Sequence, residues 1–211
     1  MAEVFEYRGV EGLVIAEVTG DDNEKDGGYK TGAVESLAGV AEIGKTVETS
    51  TEAKYYDNQP MISISSEGHD EISVICSGLT LEKLAKITGK SYDPETGAFV
   101  DGPADTRYFA MGYITEDTSG KKRYVWRYKG TFSIPPESAK TKKNDTETTN
   151  TELTFTGIMT THKFTKGKYN GTEWVPAPSK GIVVSDREGL ADLSTFFNTV
   201  TTMDTLQKKT A

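Results

Sequence analysis

Cysteine and histidine are scarce in this chain, and each shortage excludes a kind of site. Cys76 is the only cysteine, so an internal disulfide framework is excluded and synthesis in a reducing compartment is favoured. The two histidines, His69 and His162, leave little from which to build a metal site. Cys76 lies in a pattern that predicts a core strand, so we interpret it as a small buried apolar residue and not as a reactive thiol.

Long apolar runs are also missing. No stretch approaches the ~20 apolar residues that a membrane helix needs. The N-terminus, MAEVFEYRGV, has neither a basic start nor an apolar segment, so we predict no secretion signal and no membrane anchor. A hydrophobic content of 35% and a mean hydropathy of -0.51 are low for a compact monomer of 211 residues. We therefore expect another copy of the chain to cover part of its surface.

Motifs for catalysis are absent from the sequence as well. No histidine lies in a nucleophile motif, no glycine loop for phosphate precedes a helix, and the acids at 21–26 lack the spacing of a calcium loop. His69 with the acids at 67–71 is a weak metal candidate, because neighbouring turn residues rarely converge on one ion. We predict no enzymatic activity, no cofactor and no bound metal.

The net charge of -8 is distributed unevenly along the chain. Residues 1–60 hold 13 acidic and 5 basic side chains, whereas residues 61–211 hold 19 of each. Residues 121–143 carry eight basic residues against one acid. One interpretation is an ordinary solvated surface. The other is that the acids of 21–57 meet the bases of 121–143, including Lys142 and Lys143, between copies of the chain.

Residues 104–134 predict a long β-hairpin whose second strand alternates rings and cations. Because side chains alternate between the faces of a strand, two sets should point in opposite directions. The rings are Tyr124, Trp126 and Tyr128, and the cations are Arg123, Arg127 and Lys129. A structural interpretation buries the rings and turns the cations outward, whereas the alternative is a nucleic-acid platform on which bases stack. A pI near 4.9 disfavours the platform.

The remaining strand signals predict a mostly β chain. Alternation predicts strands at 10–19, 61–66 and 71–76, with a turn at 67–70, after a loop at 49–60. A threonine-rich strand is predicted at 151–164. Small hairpins are expected at 92–100 and around Asn170-Gly171, which is a strong turn signal.

Two short helices complete the predicted elements. Thr80 as N-cap and Gly89 as the stop predict a helix over 80–88. Ser185 and Glu188 form a capping box that predicts a second helix, followed by a frayed tail at 203–211. One face of that helix would carry Leu190, Leu193, Phe197 and Val200. The absence of repeats and clean breaks predicts a single domain over 1–211.

Three stretches, in the same order along the chain, resemble the major tail protein family of long-tailed, non-contractile (siphovirus-type) bacteriophages. They are YKTGAVESLAGVAEIGKTVETSTEAKYYDN (29–58), LEKLAKITGKSYDPETGAFVDG (81–102) and RYFAMGY…GKKRYVWRYKGTFSIPPESAKTK (107–142). The most specific of the matching segments is YVWRYKG (124–130). The stretches cover well over half of the chain, whereas residues 165–211 match less clearly.

The resemblance implies a tail tube protein of the virion, made in the cytoplasm of the bacterial host. Its fold would be a β-sandwich or barrel of the phage tail tube type, with one or two short flanking α-helices and long loops. Six copies would form a ring, and rings would stack into a tube that conducts DNA into the host without binding it specifically. Tape measure, distal tail and terminator proteins are the implied partners. A type VI-like secretion tube protein is an alternative with the same fold.

The resemblance also implies that a loop near 44–60 reaches the adjoining ring. Combined with the charge pattern, this selects candidate contacts between subunits or rings. They are Lys54, Tyr55, Tyr56, Asp57, Asn58, Arg127, Lys129, Lys142 and Lys143.

Overall fold

We describe the protein from a computed structural model, which covers residues 4–22, 28–56, 59–136 and 149–210. Within these ranges the chain is mainly β. Its strands are β1 (Tyr7–Asp21), β2 (Tyr29–Thr31), β3 (Glu35–Ser36), β4 (Val40–Tyr56), β5 (Gln59–Cys76), β6 (Ser91–Asp93), β7 (Ala98–Val100), β8 (Phe109–Asp117), β9 (Lys122–Phe132), β10 (Thr151–Gly157), β11 (Phe164–Tyr169), β12 (Trp174–Ala177) and β13 (Gly181–Ser185), and its helix is α1 (Leu81–Thr88).

One large antiparallel sheet organises the molecule. Its strands follow the order β2-β1-β8-β9-β10-β5-β4, with β3 also paired to β1 and β13 also paired to β9. Strand β9 is central, since β8 lies along one of its edges while β13 and β10 share the other edge at opposite ends. Two small hairpins, β6-β7 and β11-β12, lie outside this sheet.

The first hydrophobic cluster lies on one face of the sheet. It joins Leu13 of β1 and Met111 of β8 to Val74 of β5 and Phe155 of β10, strands from the other half of the sheet order. The sheet therefore curls around this cluster. Ile87 of α1 belongs to the same cluster. The helix begins at the N-cap Thr80, whose side chain accepts a hydrogen bond from the Lys83 amide, and ends at Gly89 in the left-handed region, which glycine adopts without a Cβ penalty.

The second cluster covers the opposite face of β1, β8 and β9. Along β9, Val125 belongs to the first cluster and Trp126 to the second, as the alternation of a strand requires. Phe196 and Val200, from a series of turns near the C-terminus, pack onto this face. The central strands are therefore buried on both sides.

The hairpins predicted at 92–100 and around Asn170-Gly171 are confirmed as β6-β7 and β11-β12, and the 104–134 hairpin as β8-β9. The loop predicted at 49–60 is wrong over its described part, because β4 continues to Tyr56 and β5 begins at Gln59. The turn predicted at 67–70 is wrong too, because β5 runs through it without a break. The strand predicted at 151–164 ends earlier, at Gly157.

The helix predicted from Ser185 is also wrong. Ser185 is the last residue of β13, paired with Arg123, and its hydroxyl accepts from the Arg187 amide in a local turn. Gly189 then adopts a φ of +62°, which interrupts a right-handed helix. The frayed tail predicted at 203–211 is likewise wrong over its described part, 203–210. The carboxylate of Asp204 accepts from the Thr165 and Lys166 amides at 2.8 Å, and Leu206 packs against the second cluster.

Candidate assembly surface

The distal part of the β4-β5 hairpin is a two-stranded ribbon, which we call the arm (residues 49–56 and 59–67). Among the described residues, its strands pair only with each other, from Thr49 opposite Glu67 to Tyr56 opposite Gln59. The next strand of the sheet, β10, pairs with β5 only from Asp70 onward. At about 3.3 Å per residue, the ribbon extends roughly 35 Å beyond Asp70, the last residue of β5 that pairs with β10.

The two faces of the arm differ in chemistry. Residues directly opposite each other on paired strands share a face. One face carries Ile62 opposite Lys54 and Ile64 opposite Glu52, with an ion pair between Lys54 and Glu52. The other face carries small and hydroxyl residues, and Thr51 and Ser65 lie within hydrogen-bond distance there.

Large apolar side chains are exposed along the arm. Ile62 and Ile64 are 49% and 51% exposed, and Met61 and Tyr55 are exposed as well. Single exposed apolar residues are ordinary on a protein surface, but a concentration of them marks an interaction site. Because a two-stranded ribbon has no core of its own and is marginal in water, the arm is a candidate surface for contact with another chain.

The outer edge of β4 is the longest open sheet edge in the described part of the chain. β4 ends the strand order, and its 17 residues pair on one side only, with β5. Unpaired N–H and C=O groups along such an edge are a template for another strand. Strand β13 also has an open edge, since it pairs only with β9.

Four charged side chains meet where the arm leaves the body. Asp70 is 1% exposed, and its carboxylate contacts Lys45 at 2.6 Å and Lys180 at 2.8 Å. Lys180 also donates to Glu67, the last arm residue of β5, at 2.8 Å. Burial works to raise the pKa of Asp70, but hydrogen bonds and charges from Lys180 and Lys45 outweigh it and lower the pKa.

A β-bulge at the same place changes which residues of β5 face the body. The register shifts between Val47 and Thr49. On the body side of the bulge, Asp70 faces the first cluster together with Ile72. On the arm side, Glu67 faces the same way, since Lys180 contacts both acids. Bulges re-aim side chains in this way. As a result, the isoleucine face of the arm is the face opposite Lys180.

The structure places the predicted contact residues in different settings. Lys54 and Tyr55 lie on the arm, exposed, and Tyr56 is the last residue of β4. Arg127 is half-buried, and its Nε is buried without a hydrogen-bond partner among the described residues. Asp57, Asn58, Lys142 and Lys143 lie outside the described residues.

Lys129 is engaged within the subunit. Its Nζ lies 2.6 Å from the Asp21 carboxylate and 4.8 Å from the Tyr108 ring centroid. Asp21 also accepts from the amides of Thr161 and His162 at 2.8 Å. Burial works to raise the pKa of Asp21, and these bonds with the Lys129 charge lower it on balance. Part of the predicted acid–base complementarity is thus satisfied inside one copy, between residues 108 positions apart.

The three rings of β9 face inward. Trp126 and Tyr128 are 0% and 1% exposed, and Tyr124 packs against the second cluster. The Trp126 indole Nε1 donates to the Phe196 carbonyl at 3.0 Å. Burial also raises the pKa of the Tyr128 hydroxyl. Rings in these positions cannot stack on bases, so the predicted burial of the rings is confirmed and a nucleic-acid platform built on them is wrong. The three cations, expected on the outer face, are half-buried.

The weak metal candidate at His69 does not form. The His69 Nδ1 lies 2.8 Å from a Glu48 carboxylate oxygen, whereas Asp70 contacts lysines instead. Among the described residues there is no group of three or more histidine, cysteine or acidic side chains that could hold a metal ion. Cys76 is buried, and burial raises the pKa of its thiol, as a core position implies.

A cleft of about 650 Å³ lies between β13 and the C-terminal segment. Most of its lining is apolar, including Val183, Leu190 and Leu206. Arg123 is one of its polar residues, and the Cζ atom of its guanidinium lies 3.7 Å from the centroid of the Tyr7 ring. The cleft thus offers an apolar surface for packing.

The ion pairs at the arm base were not predicted from the sequence, although Glu67 and Asp70 were among the acids of the weak metal candidate. Asp70 occupies a core-facing position in the alternation Asp70, Ile72, Val74, Cys76, and a charge at such a position is a signal of a buried ion pair. Lys180 has no comparable local signal, because its partners lie 110 and 113 positions away in the chain.

No helix in the described residues is long and apolar enough to cross a membrane. A scan against models of known protein families finds no match to this chain, and a search of curated proteins finds no significant relative.

Proposed function

We propose that this protein is a tail tube subunit of a long-tailed bacteriophage, which assembles as stacked hexameric rings. The observation that carries the proposal is the arm, a two-stranded ribbon with exposed isoleucines next to a long open sheet edge. The sequence resemblance to siphovirus-type major tail proteins supports the same role. A virion location and partners among the other tail proteins belong to this proposal.

The open edges supply a physical reason for ring formation. A 17-residue strand with one unpaired edge is an aggregation hazard in a monomer, and pairing with a neighbouring copy removes the hazard. We infer that the curled sheet is one wall of a β-sandwich of the tail tube type, and that β4 joins it to the next subunit. A contact between different patches on identical copies generates a ring when it closes and a filament when it does not. Stacked rings combine a closing contact within each ring with an open contact along the tube.

The arm supplies a reason for stacking. Its isoleucine face is exposed and points away from Lys180, so docking on an adjoining ring would remove apolar surface from water. The acidic surplus of the chain, -8 per copy, disfavours adhesion of DNA to the tube wall. Screening confines this repulsion to ~8 Å at physiological ionic strength, which leaves passage open.

The test is assembly of the full chain with and without the isoleucines. Burying a half-exposed isoleucine contributes about 1 kcal/mol, so Ile62→Lys with Ile64→Lys should raise the critical concentration by about 30-fold or more. Negative-stain images of the wild type should show rings or tubes of uniform diameter. The thermal midpoint of the dissociated double variant should stay unchanged, because neither side chain is in a core cluster.

Leu81→Lys with Val100→Lys is the matched control, since both side chains are exposed to a similar extent but lie on α1 and β7. This control should assemble like the wild type. A wild-type protein that stays monomeric at every concentration would contradict the proposal. Tubes formed equally well by the double arm variant would contradict the role of the arm.

A further inference from the structure

The arm is joined to the body by one ammonium group that serves two acids. Lys180 donates to Glu67, which belongs to the arm, and to Asp70, which is buried in the body. Glu67 is 53% exposed, so its side chain is free to leave when Lys180 is removed. An ammonium carries three donors and can hold both carboxylates at once.

The backbone around Lys180 is held firmly in place. Its carbonyl accepts from the Tyr128 amide at 2.9 Å, which ties it to β9. The neighbouring Ser179 exchanges hydrogen bonds with Thr160 and Gly181. Gly181 packs so closely on β9 that an added Cβ would lie 2.1 Å from the Trp126 carbonyl oxygen. The side chain of Lys180 is 10% exposed, so its ammonium is presented from a rigid support.

Because Lys45 also binds Asp70, the bond from Lys180 to Glu67 can be removed without leaving Asp70 unpaired. Lys45 lies on β4 and contacts the second oxygen of Asp70 at 2.6 Å. The buried carboxylate therefore keeps a cationic partner on each oxygen when Glu67 is altered. The bond between Lys180 and Glu67 is the part of this network that reaches from the body to the arm.

We propose that Lys180 is a positioning residue for the arm: through Glu67 it fixes the direction in which the ribbon leaves the body. It acts together with the bulge between Val47 and Thr49, which turns the isoleucine face away from Lys180. Resting on the proposed function, this direction determines where Ile62 and Ile64 meet the next copy. A ribbon without the bond would sample a wider range of angles and dock more slowly.

The direction of the arm can be measured in the subunit itself. Spin labels at Ser63→Cys on the arm and Glu82→Cys on α1, in a Cys76→Ala background, report one distance distribution. Glu67→Gln and Lys180→Met should both broaden it, while Lys180→Arg should keep it narrow. Because an exposed ion pair contributes less than about 1 kcal/mol, amide exchange in the arm should accelerate about two- to fivefold.

Glu48→Gln is the matched control. Glu48 is also an exposed glutamate at the arm base, but its partner His69 lies on β5 next to it and does not link the arm to another element. This variant should leave the distance distribution unchanged. Glu67→Gln should also leave the thermal midpoint nearly unchanged, because Asp70 keeps both lysines.

An unchanged distance distribution in Glu67→Gln would overturn the positioning role, and this holds even if Lys180→Met fails to fold. Equal broadening by Glu48→Gln would overturn it as well. A loosened arm with tube assembly at the wild-type rate would overturn the link between arm direction and docking. If the wild type formed no rings at all, the proposed function would fail, while the distance measurement would still decide the positioning role.

Discussion

Replacing Trp126 with alanine removes the largest buried side chain of the second cluster and should destabilise the fold. The ring has no exposed surface and packs 5.3 Å from the Phe197 ring centroid. Its Nε1 donates to the Phe196 carbonyl, which also accepts from the Thr201 hydroxyl at 2.8 Å. The carbonyl therefore keeps one partner in the variant. We expect the missing hydrogen bond to be the smaller part of the loss and the cavity to be the larger part.

The expected magnitude follows from these contacts. Truncation of a buried aromatic residue to alanine costs about 4 kcal/mol, of which the hydrogen bond accounts for about 1 kcal/mol. Trp126→Phe keeps most of the ring and should cost about 1.5 kcal/mol. Since the total free energy of unfolding is roughly 5–15 kcal/mol, the alanine variant should remain folded but with a much smaller free energy of unfolding.

Urea unfolding followed by far-ultraviolet circular dichroism measures both variants. With a slope near 2–3 kcal/mol/M for a chain of this size, Trp126→Ala should lower the midpoint by about 1.5 M. Trp174→Ala is the control, because that ring is exposed and pairs only with Tyr169 across the β11-β12 hairpin. Equal midpoint shifts for the two alanine variants would refute the assignment of Trp126 to the core.

Two further predictions concern packing and pH. Gly112→Ala would place a Cβ 2.7 Å from a Phe197 ring carbon, so the thermal midpoint should fall by the equivalent of about 1–3 kcal/mol, whereas Gly78→Ala, with open space around it, should not lower it. Burial works to raise the pKa of three carboxyls, yet lysine or arginine partners lower it on balance: Asp21, Asp70 and Asp117. Since the folded-state pKa values lie below the unfolded ones, these carboxylates stabilise the fold at neutral pH and lose that contribution on acidification. The thermal midpoint should therefore decrease when the pH is lowered below about 4. A midpoint that rose there would contradict these ion pairs.

Alternation in the sequence predicted which side chains share a face of the central strand. Along β9 the pattern of rings and cations gave the burial of Trp126 and Tyr128 correctly, because a strand between two clusters must alternate. The turn residues of Asn170-Gly171 predicted the β11-β12 hairpin. Thr80 and Gly89 predicted both ends of α1 for the same local reason.

The strand predicted at 61–66 is confirmed as part of β5, but the β4 half of the arm escaped prediction because neither face of the arm is buried in the subunit. Residues 49–56 carry no apolar alternation, and their strand conformation depends on pairing with β5. The predicted helix after Ser185 failed because pairing of β13 with β9 outweighed a local capping signal. Contacts such as Lys180 with Glu67 join distant parts of the chain, and a single sequence contains no trace of them.

The two faces of the central strands are covered by parts of the chain that are synthesised at different times. Trp126 and the carbonyl that it contacts are 70 residues apart. At 5–20 residues per second, a ribosome needs about 4 to 14 seconds to make that interval. During this time one side of β9 is exposed on the nascent chain in an already crowded cell. Chaperones that shield aromatic surfaces therefore have a defined window in which to act on this protein.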